Sequence, residues 1–114
     1  MSRDLLIPLE PGFTDPAHPG ERFVCPDGIP IEGLLAADPA RAAQLDVQRV
    51  PFARPRQAAV AALDEAHQGL PVLVLGDAHP APDDAQRLGD KRFVTEPARI
   101  LALLAERHGF PKVH

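Results

Sequence analysis

The chain has no tryptophan, no tyrosine and only five phenylalanines, so its core must be built from Leu, Val, Ile and Ala. The aromatic platforms on which single-stranded bases stack are missing with them. One cysteine, Cys25, excludes an internal disulfide, a disulfide scaffold and a cysteine-built zinc site. The only serine is Ser2, at the very start, which excludes a Ser-His-Asp triad. The five histidines show no ligand spacing and the glycines form no phosphate-cradling loop, so no metal site and no nucleotide site are expected. No apolar run approaches the length of a membrane span; the longest large-aliphatic run, Leu70 to Leu75, has Pro71 inside it. The opening Met-Ser-Arg-Asp lacks the apolar stretch of a signal peptide, which predicts a cytoplasmic protein. Basic charge is not in excess either. Twelve basic against 16 acidic side chains give a net charge of −4, which argues against nucleic acid or an anionic membrane as the main partner.

What the chain has in quantity is proline, 14 in 114 residues, which fixes many backbone positions and separates short elements. The length suits one domain, residues 1–114. Asp4 to Leu9 reads as a first, buried strand that stops near Pro8, and Glu10 to Phe23 as a long structured loop. A helix follows Cys25-Pro26-Asp27-Gly28, with Ile31, Leu34 and Leu35 on one face. Asp38-Pro39 looks like a cap and first-turn proline restarting it through Leu45. Asp46 to Phe52 is a second strand. Pro55 opens a helix with Ala59, Val60, Leu63 and Ala66 on its core stripe and Gly69 as its stop. Leu70 to Leu75 is the clearest strand, residues 77–90 form a polar insertion, and Lys91 to Thr95 is a last short strand. The final helix is capped at Thr95 or Glu96, carries Ile100, Leu101 and Leu104 inward, and stops at Gly109. The order β-α-β-α-β-β-α predicts an α/β sandwich on a four-stranded mixed sheet: a parallel first pair with a right-handed crossover, then an antiparallel pair.

Cys25-Pro26 ahead of the first helix and Leu70-Pro71 opening the third strand are placed as in the thioredoxin-like fold. The segment Gly69 to Leu75 resembles the glutaredoxin and glutathione-transferase strand that begins with a cis-proline. Thr95-Glu96-Pro97-Ala98-Arg99-Ile100-Leu101 looks like the start of their third helix, which in transferases grips the γ-glutamyl end of glutathione. Over nearly its full length the chain resembles a family of short bacterial proteins of unknown function. The shared stretches are Glu10-Pro11-Gly12-Phe13 with Asp15-Pro16, Ile31-Glu32-Gly33, Arg54-Pro55-Arg56-Gln57 and Glu106-Arg107-His108-Gly109-Phe110-Pro111. The resemblance implies a thioredoxin-like three-layer sandwich but no established activity. Two positions depart from the pattern. Gly28 stands where many members resemble dithiol proteins with a second cysteine, and Pro97 stands where transferases have a serine.

These features define a candidate site. A cysteine at a helix N-terminus has the macrodipole and nearby donors favouring its thiolate, opposed here by the charge of Asp27 and by Pro30, which lacks an N–H. With Gly28 supplying no resolving thiol, a mixed disulfide at Cys25 needs an external thiol for release, and glutathione is the natural one. Pro71, if cis, leaves the Leu70 backbone to pair with glutathione or an extended peptide. Arg54 and Arg56 suit a carboxylate, although solvated charges beside a helix start are the commoner arrangement. Glu96 suits the helix dipole first and a γ-glutamyl amine second. His18 and Arg22 are the basic residues nearest Cys25 in sequence. The leading expectation is monothiol, glutathione-linked redox or transferase-like chemistry through Cys25, with no cofactor beyond glutathione. The alternative is a thioredoxin-fold interaction module without chemistry, dimerising through the 77–90 insertion or the first loop.

Overall fold

A computed structural model describes residues 2–114; Met1, the first residue of the stretch read for a signal sequence, lies outside the described residues. In chain order the elements are β1 (Leu5–Ile7), α1 (Ile29–Ala37), α2 (Pro39–Ala42), β2 (Asp46–Val47), α3 (Gln57–Ala62), β3 (Val72–Val74), β4 (Gln86–Leu88), β5 (Lys91–Val94) and α4 (Pro97–His108). The strands form one open mixed sheet in the order β2-β1-β3-β5-β4. β1 and β2 are parallel, and the remaining pairs are antiparallel.

Side-chain alternation along these strands sorts the core into two layers. Leu6, Leu73 and Val94 lie opposite one another across β1, β3 and β5. They pack with Ile31 and Leu35 of α1, Leu45 after α2, and Ile100, Leu103 and Leu104 of α4. Ile7 with its partner Val72, and Phe93 opposite Val74, face the other way and pack with Val50 and Leu63, with Ala58 and Ala62 of α3 at the edge. Helices therefore cover both faces of the sheet. Each fully buried Leu or Ile contributes roughly 2 kcal/mol, so the two aliphatic layers compensate for the shortage of aromatics. Among the described residues no helix is long and apolar enough to cross a membrane.

The mixed α/β class, the parallel pair and the antiparallel pairing of Leu70–Leu75 with Lys91–Thr95 match the sequence reading. The strand count does not: the sheet has five strands, not four. Gln86–Leu88, inside the expected insertion, pairs with β5 through a two-residue turn. Gly89 supplies the positive φ (63°) that this turn requires at its first central position. The β1–β2 ladder shows what Pro8 does. Asp46, Gln48 and Val50 donate to the carbonyls of Asp4, Leu6 and Pro8, and Glu10 donates to Val50. Pro8 has no N–H with which to continue that series, so regular pairing stops and resumes only as a bridge between Leu9 and Val50. The second strand is correspondingly cut to two residues.

Asp38 caps α2 by accepting from Arg41 N, as its sequence predicts. α3 ends at Ala62 rather than near Gly69. The Asp64 carboxylate accepts from Ala66 N and bonds His67 Nδ1, offering the backbone a turn in place of another helical turn. In α4 the stripe is Ile100, Leu103 and Leu104; Leu101 is only half-buried.

Candidate functional site

The pairing directions fix which loops meet. β1 and β2 run toward the same end of the sheet; β3, antiparallel to β1, starts there, and β5, antiparallel to β3, finishes there. The segments after β1, after β2, before β3 and after β5 therefore gather at one end. They carry all six candidate residues: Cys25, Arg54 with Arg56, Leu70 with Pro71, and Glu96.

Cys25 is a free, half-buried thiol three residues ahead of Gly28, the N-cap of α1. Its carbonyl accepts from Gly28 N (3.1 Å) and Ile29 N (2.9 Å), which holds the cysteine at the entry to the helix. A Cβ at position 28 would stand 3.5 Å from Cys25 Cβ and 3.8 Å from Sγ. On either side of the thiol two large apolar side chains are open to solvent, Val24 at 48% and Ile29 at 42% exposure.

Arg54 and Arg56 are close in sequence but differ in setting. Arg54 is exposed, joined to Pro55 by a cis peptide bond, and makes no hydrogen bond or ion pair among the described residues. Arg56 is buried. Its Nε and Nη2 donate to the Phe52 carbonyl (3.0 and 2.8 Å), its Nη1 donates to the Gln68 carbonyl (3.0 Å), and its backbone N donates to Gln68 Oε1 (2.7 Å). The guanidinium lies over the Phe52 ring, 5.5 Å from its centroid. Burial lowers the Arg56 pKa from its ordinary value, the like charge of Arg54 lowers it further, and Cys25 pulls it back up. Arg56 thus lies within reach of the charges of both Arg54 and Cys25. Arg56 is anchored to main-chain carbonyls, so the guanidinium left open to an incoming anion is that of Arg54.

Leu70 is half-buried, Pro71 is buried, and the bond between them is cis. Glu96 is exposed, and its carboxylate caps α4 by accepting from Arg99 N (2.8 Å) and Ala98 N (3.4 Å). The helix-capping use of Glu96 is the one the geometry displays. His18 and Arg22 turn onto their own loop: the His18 ring meets Phe23 edge-on at 5.7 Å, and Arg22 Nε donates to the Gly12 carbonyl at 3.2 Å.

The stretches singled out in the sequence each fasten two parts of the chain. Phe13 stacks on Phe52 with ring centroids 4.9 Å apart and planes within 1°. Glu32 grips Arg49 through two hydrogen bonds of 2.8 and 2.7 Å, tying α1 to the segment after β2. Arg56 ties the segment after β2 to the segment before β3. Arg107 and His108 both bond Asp4, at the opposite end of the sheet. The family comparison covers these fastenings together: the family model described as "Protein of unknown function (DUF3088)" matches residues 3–112. The chain belongs to that family. Comparison with curated proteins gave no match, and comparison with solved structures gave none either.

Within the matched span, sequence reasoning passed over Gln68 and the Phe13–Phe52 stack. Gln68 is buried, with Nε2 donating to the Glu65 carbonyl (2.8 Å) while Oε1 and the carbonyl receive Arg56. Nothing local to a glutamine announces such a role. The stack had a signal: both phenylalanines lie in segments rich in proline, outside any apolar periodicity, where an aromatic needs a partner of its own.

Proposed function

We propose that the chain is a thioredoxin-like protein in which Cys25 acts as a single nucleophilic thiol toward disulfides of glutathione or of a small thiol or peptide. One observation carries the reading: the segments bearing Cys25, Arg54, Leu70 and Pro71 meet at one end of the sheet, where Cys25 is half-buried and the exposed Arg54 makes no hydrogen bond or ion pair among the described residues. The βαβ start, the antiparallel continuation and the helices on both faces agree with a thioredoxin-like arrangement extended by an edge strand, β4.

In this reading the Cys25 thiolate attacks the glutathione sulfur of a disulfide between glutathione and a small thiol or peptide. A Cys25–glutathione disulfide forms, the original sulfur–sulfur bond breaks, and the small thiol or peptide leaves as its thiolate. Gly28 offers no second thiol, so a glutathione thiolate attacks the glutathione sulfur of the adduct. That step regenerates the Cys25 thiolate and releases glutathione disulfide. Arg54 holds a carboxylate of the incoming molecule, which guanidinium suits by charge and shape. Leu70, two residues ahead of β3, offers its backbone to the same molecule. Arg56 and Glu96 act indirectly, by fixing the loop after β2 and the start of α4.

The test is exchange between reduced glutathione and a glutathionylated peptide. The wild-type chain accelerates it, Cys25→Ser abolishes the acceleration, and Arg54→Gln reduces it about tenfold, the loss of one charge-assisted contact. Equal rates with wild type and Cys25→Ser would remove the thiol from the account. The half-buried setting of Cys25 favours this reading over an interaction module without chemistry, for which a sealed cysteine is the natural state.

A further inference from the structure

Three of the five phenylalanines, Phe13, Phe23 and Phe52, lie outside both core layers and remain half-buried. They form one continuous group: Phe52 stacks on Phe13, and Phe13 meets Phe23 with centroids 5.9 Å apart. Two of them, Phe13 and Phe52, border a surface feature, and Phe23 backs Phe13. That feature is a cleft of about 350 Å3 between the segment after β1 and the segment after β2, walled by Pro11, Phe13 and Phe52.

The cleft is framed by main-chain bonds and not by flexible side chains. Glu10 N donates to Val50 O, and Gly12 N and Phe23 N complete an exchange with the opposite halves of the loop, each at 2.8 Å. Arg22 lies flat against Gly12 and reaches the cleft. Its Nε donates to the Gly12 carbonyl, and a Cβ at position 12 would collide with the guanidinium. The two terminal nitrogens of Arg22 make no hydrogen bond or ion pair among the described residues, although Glu10 lines the same cleft. The site thus combines a wall built from a stacked phenylalanine pair and Pro11, one available guanidinium and one acidic residue, Glu10, in the same lining.

We propose that this cleft binds a flat apolar monoanion, an aromatic carboxylate, with its ring against the Phe13–Phe52 wall and its carboxylate on Arg22. A cleft with aromatic side chains and a few convergent polar groups is the usual form of a small-molecule site, and arginine engages a carboxylate through a two-pronged fork. Glu10 selects against a second negative charge, so the monoanion is preferred to a dianion such as phosphate. The inference does not depend on the chemistry of Cys25.

The test is titration of the nitrogen-labelled full chain with naphthoate, followed by amide chemical shifts. Shifts confined to residues 10–14, 22–23 and 51–53 are expected, and they persist in Cys25→Ser. Arg22→Gln, a change at an exposed side chain, weakens binding about tenfold, and the uncharged alcohol analogue of the probe binds wild type about as weakly. Phe13→Leu weakens both probes; if that variant does not fold, Arg22→Gln and the neutral analogue decide the matter. Absence of shifts in the cleft, shifts elsewhere, or wild-type affinity in Arg22→Gln would each overturn the proposal.

Discussion

Asp4 and Arg107, 103 positions apart in sequence, meet as a two-pronged ion pair of 2.7 and 2.8 Å with their side chains 1% and 5% exposed. The same carboxylate bonds His108 Nε2 and accepts from Gly76 N. Arg107 Nη1 continues to the Pro80 carbonyl at 2.7 Å. One buried acid thereby joins the start of β1, the end of α4 and the segment leaving β3, at the end of the sheet away from Cys25. Removing either partner leaves the other charge buried. Arg107→Ala is expected to cost about 3 kcal/mol in urea unfolding, and a loss below about 1 kcal/mol would show the pair to be dispensable.

The same pair sets the acid side of the stability curve. The Asp4 pKa is lowered: burial alone would raise it, but the hydrogen bonds from Arg107, Gly76 and His108, with the Arg107 charge, outweigh burial. A folded-state pKa below the unfolded value means stability that is complete above the unfolded pKa of about 3.9 and lost as pH falls through the folded value. Asp64, Asp77 and Asp84 shift in the same direction, but Asp77 and Asp84 are exposed and Asp64 is only half-buried. Unfolding free energy measured from pH 2 to 6 should therefore fall on acidification. Asp4→Asn should show a shallower fall in that window, and an unchanged slope would contradict the assignment.

Gly28 stands where a second thiol would meet Cys25. A Cβ there would sit 3.5 Å from Cys25 Cβ, at the short edge of the roughly 3.5–4.5 Å span that disulfides use. Gly28 has φ −88°, which any residue adopts. Gly28→Cys is expected to oxidise to an intrachain disulfide with the loss of two hydrogens by mass. Persistence of two free thiols, or crosslinking only between chains, would contradict the geometry.

The two arginines around Pro55 should separate cleanly. Arg56→Ala removes three donors from buried carbonyls and is expected to destabilise the fold by about 2 kcal/mol, read as a lower urea midpoint. Arg54→Gln should leave that midpoint within about 0.5 kcal/mol of wild type, since Arg54 is exposed. Equal effects would mean that the two residues do not divide the roles as described.

How much of this was legible in the sequence depended on how local each cause is. β3 was plain because Leu-Pro-Val-Leu-Val-Leu is apolar on both faces, and the caps at Asp38 and Glu96 were plain because a cap acts within three residues. β4 was not: Gln86 and Arg87 are exposed at a sheet edge, and such a strand carries no apolar alternation. The end of α3 was misplaced because the alanine-rich pattern runs on to Ala66 while the Asp64 side chain redirects the backbone. At the candidate site, sequence order brought Cys25, Leu70 and Pro71 into view. The anchoring of Arg56 stayed hidden because its acceptors are carbonyls, which no side-chain pattern reveals.

The most direct measurement is the rate at which glutathione disulfide modifies Cys25, followed by intact mass at neutral pH on folded chain and on chain unfolded in urea. The account predicts one glutathione per chain, formed faster on the folded protein than on the unfolded one and reversed by reduced glutathione. A thiol that is modified only after unfolding would mean that Cys25 is a packing residue, and would contradict the proposed function.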